Sequence, residues 1–330
     1  MDKNGQLTFS DDPLLLGINE AYELIEQGEF AAAVNRIDSL MGQNPEYPGL
    51  AEAYRTAKFW ANRAGEVRRL EKGKHTADFL MTQWEVFKKY AAEKGIADTN
   101  AYRAAMRHVF FSASENYKAA FQGQESTADN FDLLMNLGLC FLTLGEYKHT
   151  IETLEYARSS YRSSAKLLAI LGEAYFHAQE IPKSLLLFRE AFFLNPSEID
   201  MVLLKCTPIT DLTLIVAERR PDAIDPREWI PVYGHTEDVF YVKRQLNSQQ
   251  VETIKREIYS LEKNFQGLGP EKVRGTNITP RLITKYLWML DYYEFQHYDF
   301  DNMREIRARL LQIDKELFEE YFKRAKKPHP

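Results

Sequence analysis

Residues 135–157 read MNLGLCFLTLGEYKHTIETLEYA, and residues 169–191 read AILGEAYFHAQEIPKSLLLFREA. Set one above the other, Leu137-Gly138 falls on Leu171-Gly172, Phe141 on Tyr175, Leu154 on Phe188 and Ala157 on Ala191, each 34 positions apart. Within each stretch the apolar residues recur at the spacing that gives a helix one apolar face. A short turn divides each into two helices, Gly145-Glu146-Tyr147 in the first and Gln179-Glu180-Ile181 in the second. Asn195-Pro196 then stops the second unit, because proline cannot continue a helix but can open the next one. A fixed period of this length predicts stacked helix pairs, none of which buries its apolar face alone.

A third copy lies at the N-terminus. With Pro45 set against Pro196, Ala21 takes the place of Gly138 and Gly172, Gly28 that of Gly145, Phe30 that of Tyr147 and Ile37 that of Leu154. Ala33 takes the small-residue position in the second helix. In these residues the chain resembles the tetratricopeptide repeat (TPR) family: a small residue midway along helix A, an aromatic near its end and a closing proline. The small residue lets the two helices approach, while large apolar residues fill the space between units. The expected fold is all-α, a right-handed helix-turn-helix solenoid of TPR-like repeats, several of them degenerate, with a C-terminal helical extension.

The remainder is read around the copies at 14–47, 131–164 and 165–198. Residues 1–13 are expected to be a flexible N-terminus, and 14–219 to hold the repeats. Stretches 49–72, 75–94 and 99–122 read as three longer helices anchored by Trp60, Trp84, Phe87 and Phe110. Residues 198–206 and 211–219 read as a shorter pair. Four punctuating residues, Pro221, Pro226, Pro231 and Gly234, make 220–238 an irregular connection, the start of an insertion and extension covering 220–330. Ser248 is expected to cap a helix to about Phe265. Residues 280–297 and 300–326 read as a final pair that covers the end of the stack.

Composition narrows the function. The 330 residues carry 42 Lys plus Arg against 48 Asp plus Glu, a formal charge of −6, which argues against binding nucleic acid by bulk electrostatics. Hydrophobic residues at 45% and charged residues at 27% are ordinary globular usage. No apolar run approaches the length of a membrane span. The start, MDKNGQLTFSDDP, has no apolar core behind Lys3, so the expected location is the cytoplasm; a periplasmic protein stripped of its signal would read the same.

Catalytic signals are sparse. Cys140 and Cys206 fall in apolar helical stretches with no base at motif spacing, so they read as packing. The densest ligand cluster, Glu294, His297, Asp299 and Asp301, lacks the pattern of a calcium or zinc site and reads as a solvated turn. Gly267, Gly269 and Gly275 precede no Gly-Lys-Ser/Thr and cradle no phosphate. The basic stretch 49–74 is interleaved with glutamates and reads as a solvated face. The aromatics from Tyr286 to Phe300 read as core. No cofactor or metal is expected.

The resemblance implies that helix A of each unit lines a concave groove that receives a peptide. Helical periodicity then selects Asn19 and Tyr22 in the first copy, Met135, Asn136 and Leu139 in the second, and Lys166, Glu173, Phe176 and His177 in the third. Asn19 and Asn136 share one repeat position, and an amide suits a peptide backbone because it donates and accepts at once. A heat-shock carboxylate clamp is incomplete, since Ile170 stands where an arginine is required. The expected role is a non-catalytic adaptor for a protein or peptide partner, with a second copy of the chain as another candidate. Two rivals are a transport-accessory protein holding a small molecule in a pore or cleft, and an enzyme whose site gathers Arg227, His235, Asp238 and Arg274.

Overall fold

The computed structural model describes residues 12–122, 129–160, 164–242, 245–268 and 275–324. Among these residues there is no strand. The helices are α1 (Pro13–Gln27), α2 (Phe30–Met41), α3 (Leu50–Val67), α4 (Lys74–Lys94), α5 (Asn100–Gln122), α6 (Asp129–Leu144), α7 (Tyr147–Ser160), α8 (Ala165–His177) and α9 (Ile181–Leu194), followed by α10 (Thr207–Arg219), α11 (Ile230–Thr236), α12 (Ser248–Gly267), α13 (Ile278–Asp291), α14 (Phe300–Ile313) and α15 (Lys315–Arg324). The chain divides into two compact units, residues 1–153 and 154–330. That boundary lies inside α7.

The three aligned turns share one geometry. Gly28, Gly145 and Gln179 occupy equivalent positions, and all three are left-handed, with φ of 81°, 80° and 64°. The next residue is a glutamate each time, and its N–H closes back on the first helix: Glu29 to the Leu24 carbonyl at 2.9 Å, Glu146 to Phe141 at 2.8 Å and Glu180 to Tyr175 at 2.9 Å. The same backbone oxygen-capping pattern therefore ends α1, α6 and α8. Behind the turns, the small positions Ala21, Ala33, Ala157 and Ala191 are fully buried.

In the first unit, apolar and aromatic packing dominates. Trp60 and Trp84 stack with centroids 6.4 Å apart, and Phe87 and Phe110 close around Trp84. The N-terminal arm is tied down earlier than expected: Asp12 caps α1 by accepting the Leu14 N–H, and Pro13 sits in the first turn. Residues 1–11 lie outside the described residues. Helix α5 lies against α1, α3, α4 and α6. A stack in which each pair meets only its neighbours would not bring α5 to α1. Here His108 of α5 fills the notch over Gly28, with its Nδ1 3.2 Å from the Glu26 carbonyl, while Arg107 pairs with Glu26 at 2.9 Å.

In the second unit, α8 and α9 meet closely at Gly172, where a Cβ would lie 3.2 Å from the Phe188 ring. Beyond α9 the helix expected at 198–206 is absent, whereas the one expected at 211–219 is present within α10. Asn195 and Asp200 each accept a backbone N–H two residues on, and these short-range bonds produce single 3-10 turns, Pro196–Glu198 and Met201–Leu203, before α10. The connection at 220–238 is more ordered than expected. Pro226 opens a 3-10 turn and Pro231 enters the first turn of α11, both positions where the missing N–H has no intrahelical role. Trp229 through Thr236 are buried.

Three further expectations change. Asn247, not Ser248, caps α12, in a reciprocal box with Gln250. The final long helix is broken at Asp314, whose extended backbone ends α14 and whose carboxylate accepts the Leu317 N–H at the start of α15. The aromatic series splits: Tyr286, Trp288 and Tyr293 are buried, whereas Phe295 and Tyr298 between α13 and α14, and Phe300 at the start of α14, are exposed.

Candidate functional site

The residues chosen from helix periodicity separate by unit, and each set is described within its own unit. In the first unit, Asn19 is exposed on α1 and Tyr22 is half-buried, its hydroxyl resting against Gly49. Burial pushes the Tyr22 hydroxyl above its ordinary pKa, so it stays protonated and able to donate. On α6, Leu139 is half-buried, but Met135 is buried at 6% exposure and offers no accessible anchor.

Asn136 is half-buried and already has a partner: its amide hydrogen-bonds the Tyr117 hydroxyl, which in turn donates to Asp78 at 2.7 Å. This chain of bonds joins α6, α5 and α4. Asn136 therefore supports helix packing, in contrast to Asn19 at the same repeat position, which makes no side-chain hydrogen bond to a described residue.

In the second unit, Lys166 is exposed, and Phe176 and His177 are half-buried with their rings in edge contact, centroids 5.5 Å apart. Glu173 departs from the expectation most clearly. At 1% exposure its carboxylate accepts the N–H of Lys205 at 2.7 Å and of Cys206 at 3.1 Å, with His177 Nε2 at 3.0 Å. The Glu173 carboxylate is thus engaged by the protein's own segment before α10. The reason is that Pro208 and the 3-10 turns leave those N–H groups without helical partners, and a buried carboxylate is a strong acceptor for them. Nothing in the local sequence around Glu173 signals this use, because the partners lie more than thirty residues away.

No family model, no curated protein and no solved structure matches this chain.

Of the residues named for an enzyme site, Arg227 and His235 are engaged in different contacts. Arg227 is held by Asp225 at 2.8 Å and by the Ser197 carbonyl at 2.8 Å, bracing the 3-10 segment. His235 is buried and directed elsewhere, to the Tyr321 hydroxyl at 3.1 Å. Arg274 lies outside the described residues. Burial raises the Cys140 thiol to about 12 and the Cys206 thiol to about 11, so neither is a thiolate at neutral pH. Among the described residues, no three His, Cys, Asp or Glu side chains gather around a metal position. Asp299 instead accepts the Asn302 N–H and caps α14. No described helix is long and apolar enough to cross a membrane.

Proposed function

We propose that this chain is a non-catalytic adaptor of the TPR-like kind, binding a segment of a partner protein along the first helices of its helix pairs. The observation that carries this reading is the mixture of groups those helices leave accessible: Asn19 and Tyr22 on α1, Leu139 on α6, and Lys166, Phe176 and His177 on α8. The small residues behind them, Ala21, Gly138 and Gly172, are buried. An amide, a cation and aromatic rings with polar edges are the groups that anchor extended or helical peptides, through backbone hydrogen bonds and a few apolar contacts. Met135 and Glu173 are no part of the contact set, and Asn136 contributes only through packing.

Site-specific photo-crosslinking tests the reading. A benzophenone side chain placed at Phe176 should capture one protein partner in cells, and the same group at Glu152, exposed on α7, should not. Capture of the same proteins from both positions would contradict the assignment of the binding face.

A further inference from the structure

A cleft of about 500 Å³ opens within the second unit between α9, α12 and α13. Its volume falls in the range of small-ligand sites. Two cations on successive turns of α13, Arg281 and Lys285, line it. This spacing puts both on one face of the helix.

Each cation is paired, but incompletely. Arg281 gives Nε and Nη2 to the two oxygens of Glu228, at 3.0 and 2.5 Å, and Glu228 is 2% exposed. The guanidinium's other terminal nitrogen has no acceptor among the described residues. Lys285 meets one oxygen of Glu257 at 2.8 Å, and its ammonium lies 3.7 Å from the centre of the Phe193 ring. An ammonium carries three donors, so two remain without a described protein acceptor on a side chain only 15% exposed. Burial lowers the pKa of Lys285, and Arg281 nearby lowers it further. A negative charge between the two cations would relieve both effects.

The two carboxylates differ in the same useful way. Glu228 is buried and gives both of its oxygens to Arg281, so it stays with that cation. Glu257 is half-exposed at the rim and bound through one oxygen, so it can be displaced. We infer that this cleft is a binding site for a small molecule carrying a phosphate or carboxylate group, which takes the spare donors of Arg281 and Lys285 and displaces Glu257. The site is independent of the adaptor reading and uses none of its residues.

Calorimetric titration of the full chain with phenyl phosphate, benzoate and benzyl alcohol tests this. At least one of the two anions should bind saturably at one site per chain, and the neutral alcohol should not; the stronger anion identifies the head group. Glu257→Gln removes the competing carboxylate and should tighten anion binding several-fold. Lys285→Met should weaken it by about tenfold or more, since it removes a charge-assisted donor. Ser260→Trp, an exposed position on the rim, should block the cleft without disturbing the core, and it carries the test if the Lys285 variant does not fold. The inference is overturned if neither anion binds saturably, if benzyl alcohol binds as well as the anions, or if the Ser260 variant binds like the wild type.

Discussion

The two units are built on different physics. The first encloses a nearly continuous aromatic and aliphatic cluster, in which Trp60, Trp84, Phe87 and Phe110 are all at most 4% exposed. The second buries charge. Arg189 Nη2 meets Asp291 at 2.6 Å with both side chains under 10% exposed, and its Nη1 donates to the Val242 carbonyl. Nearer the surface, Arg220 joins Asp314 at 2.5 Å, and Arg219 reaches both Glu237 and Glu320. Apolar packing tolerates loss of one contact in proportion to the volume removed. A buried ion pair does not, because removing one partner strands the other without water.

This contrast sets the largest expected effect. Arg189→Met should destabilise the protein by about 3–5 kcal/mol in urea unfolding, and adding Asp291→Leu should recover a large part of the loss. In the first unit, Trp84→Ala followed by a second aromatic truncation should only add to the damage. Recovery in the first unit, or none in the second, would erase the distinction. Next in size is Gly172→Leu, which overpacks the contact with Phe188 and should cost about 1–3 kcal/mol. Gly28→Ala combines a left-handed backbone with a clash against the His108 ring and should cost about 1–2 kcal/mol.

These two glycines also mark how far the sequence could be read. The bounds of α1, α2, α8 and α9 were legible because apolar spacing, turn residues and proline are local signals. The shared left-handed turn at Gly28, Gly145 and Gln179 follows from the same alignment, although the glutamine at the third position hid it. What could not be read was long-range pairing. His108 reaches Glu26 across 82 residues, and Arg189 reaches Asp291 across 102. No periodicity encodes such partners. Glu173 and Asn136 show the same limit: both sit at the expected helical phase, and their side chains pair with other segments of the chain. The prolines at 226 and 231 misled in the opposite direction, since each stands at a helix start, where it is tolerated.

A pH effect of moderate size belongs to the first unit. Burial holds His108 below its ordinary value of 6.5. Between its folded pKa and 6.5 the unfolded chain binds more protons than the folded one, so stability rises with pH through that window. The contribution is present above pH 6.5 and lost as pH falls below it. His108→Gln should flatten that part of the stability profile, and an unchanged profile would show that the ring does not titrate on unfolding. The smallest effect is expected at Glu152, whose contact with Lys148 is exposed and 3.9 Å long; Glu152→Ala should shift stability by no more than about 0.5 kcal/mol.

The central claim is that accessible side chains on the first helices hold a partner. Titrating the photo-captured partner against purified variants tests it most directly. Phe176→Ala should weaken binding by about 1–3 kcal/mol and Tyr22→Ala by a similar amount, while Glu152→Ala should bind like the wild type. Wild-type affinity in both Phe176→Ala and Tyr22→Ala, with the fold intact by circular dichroism, would contradict the account.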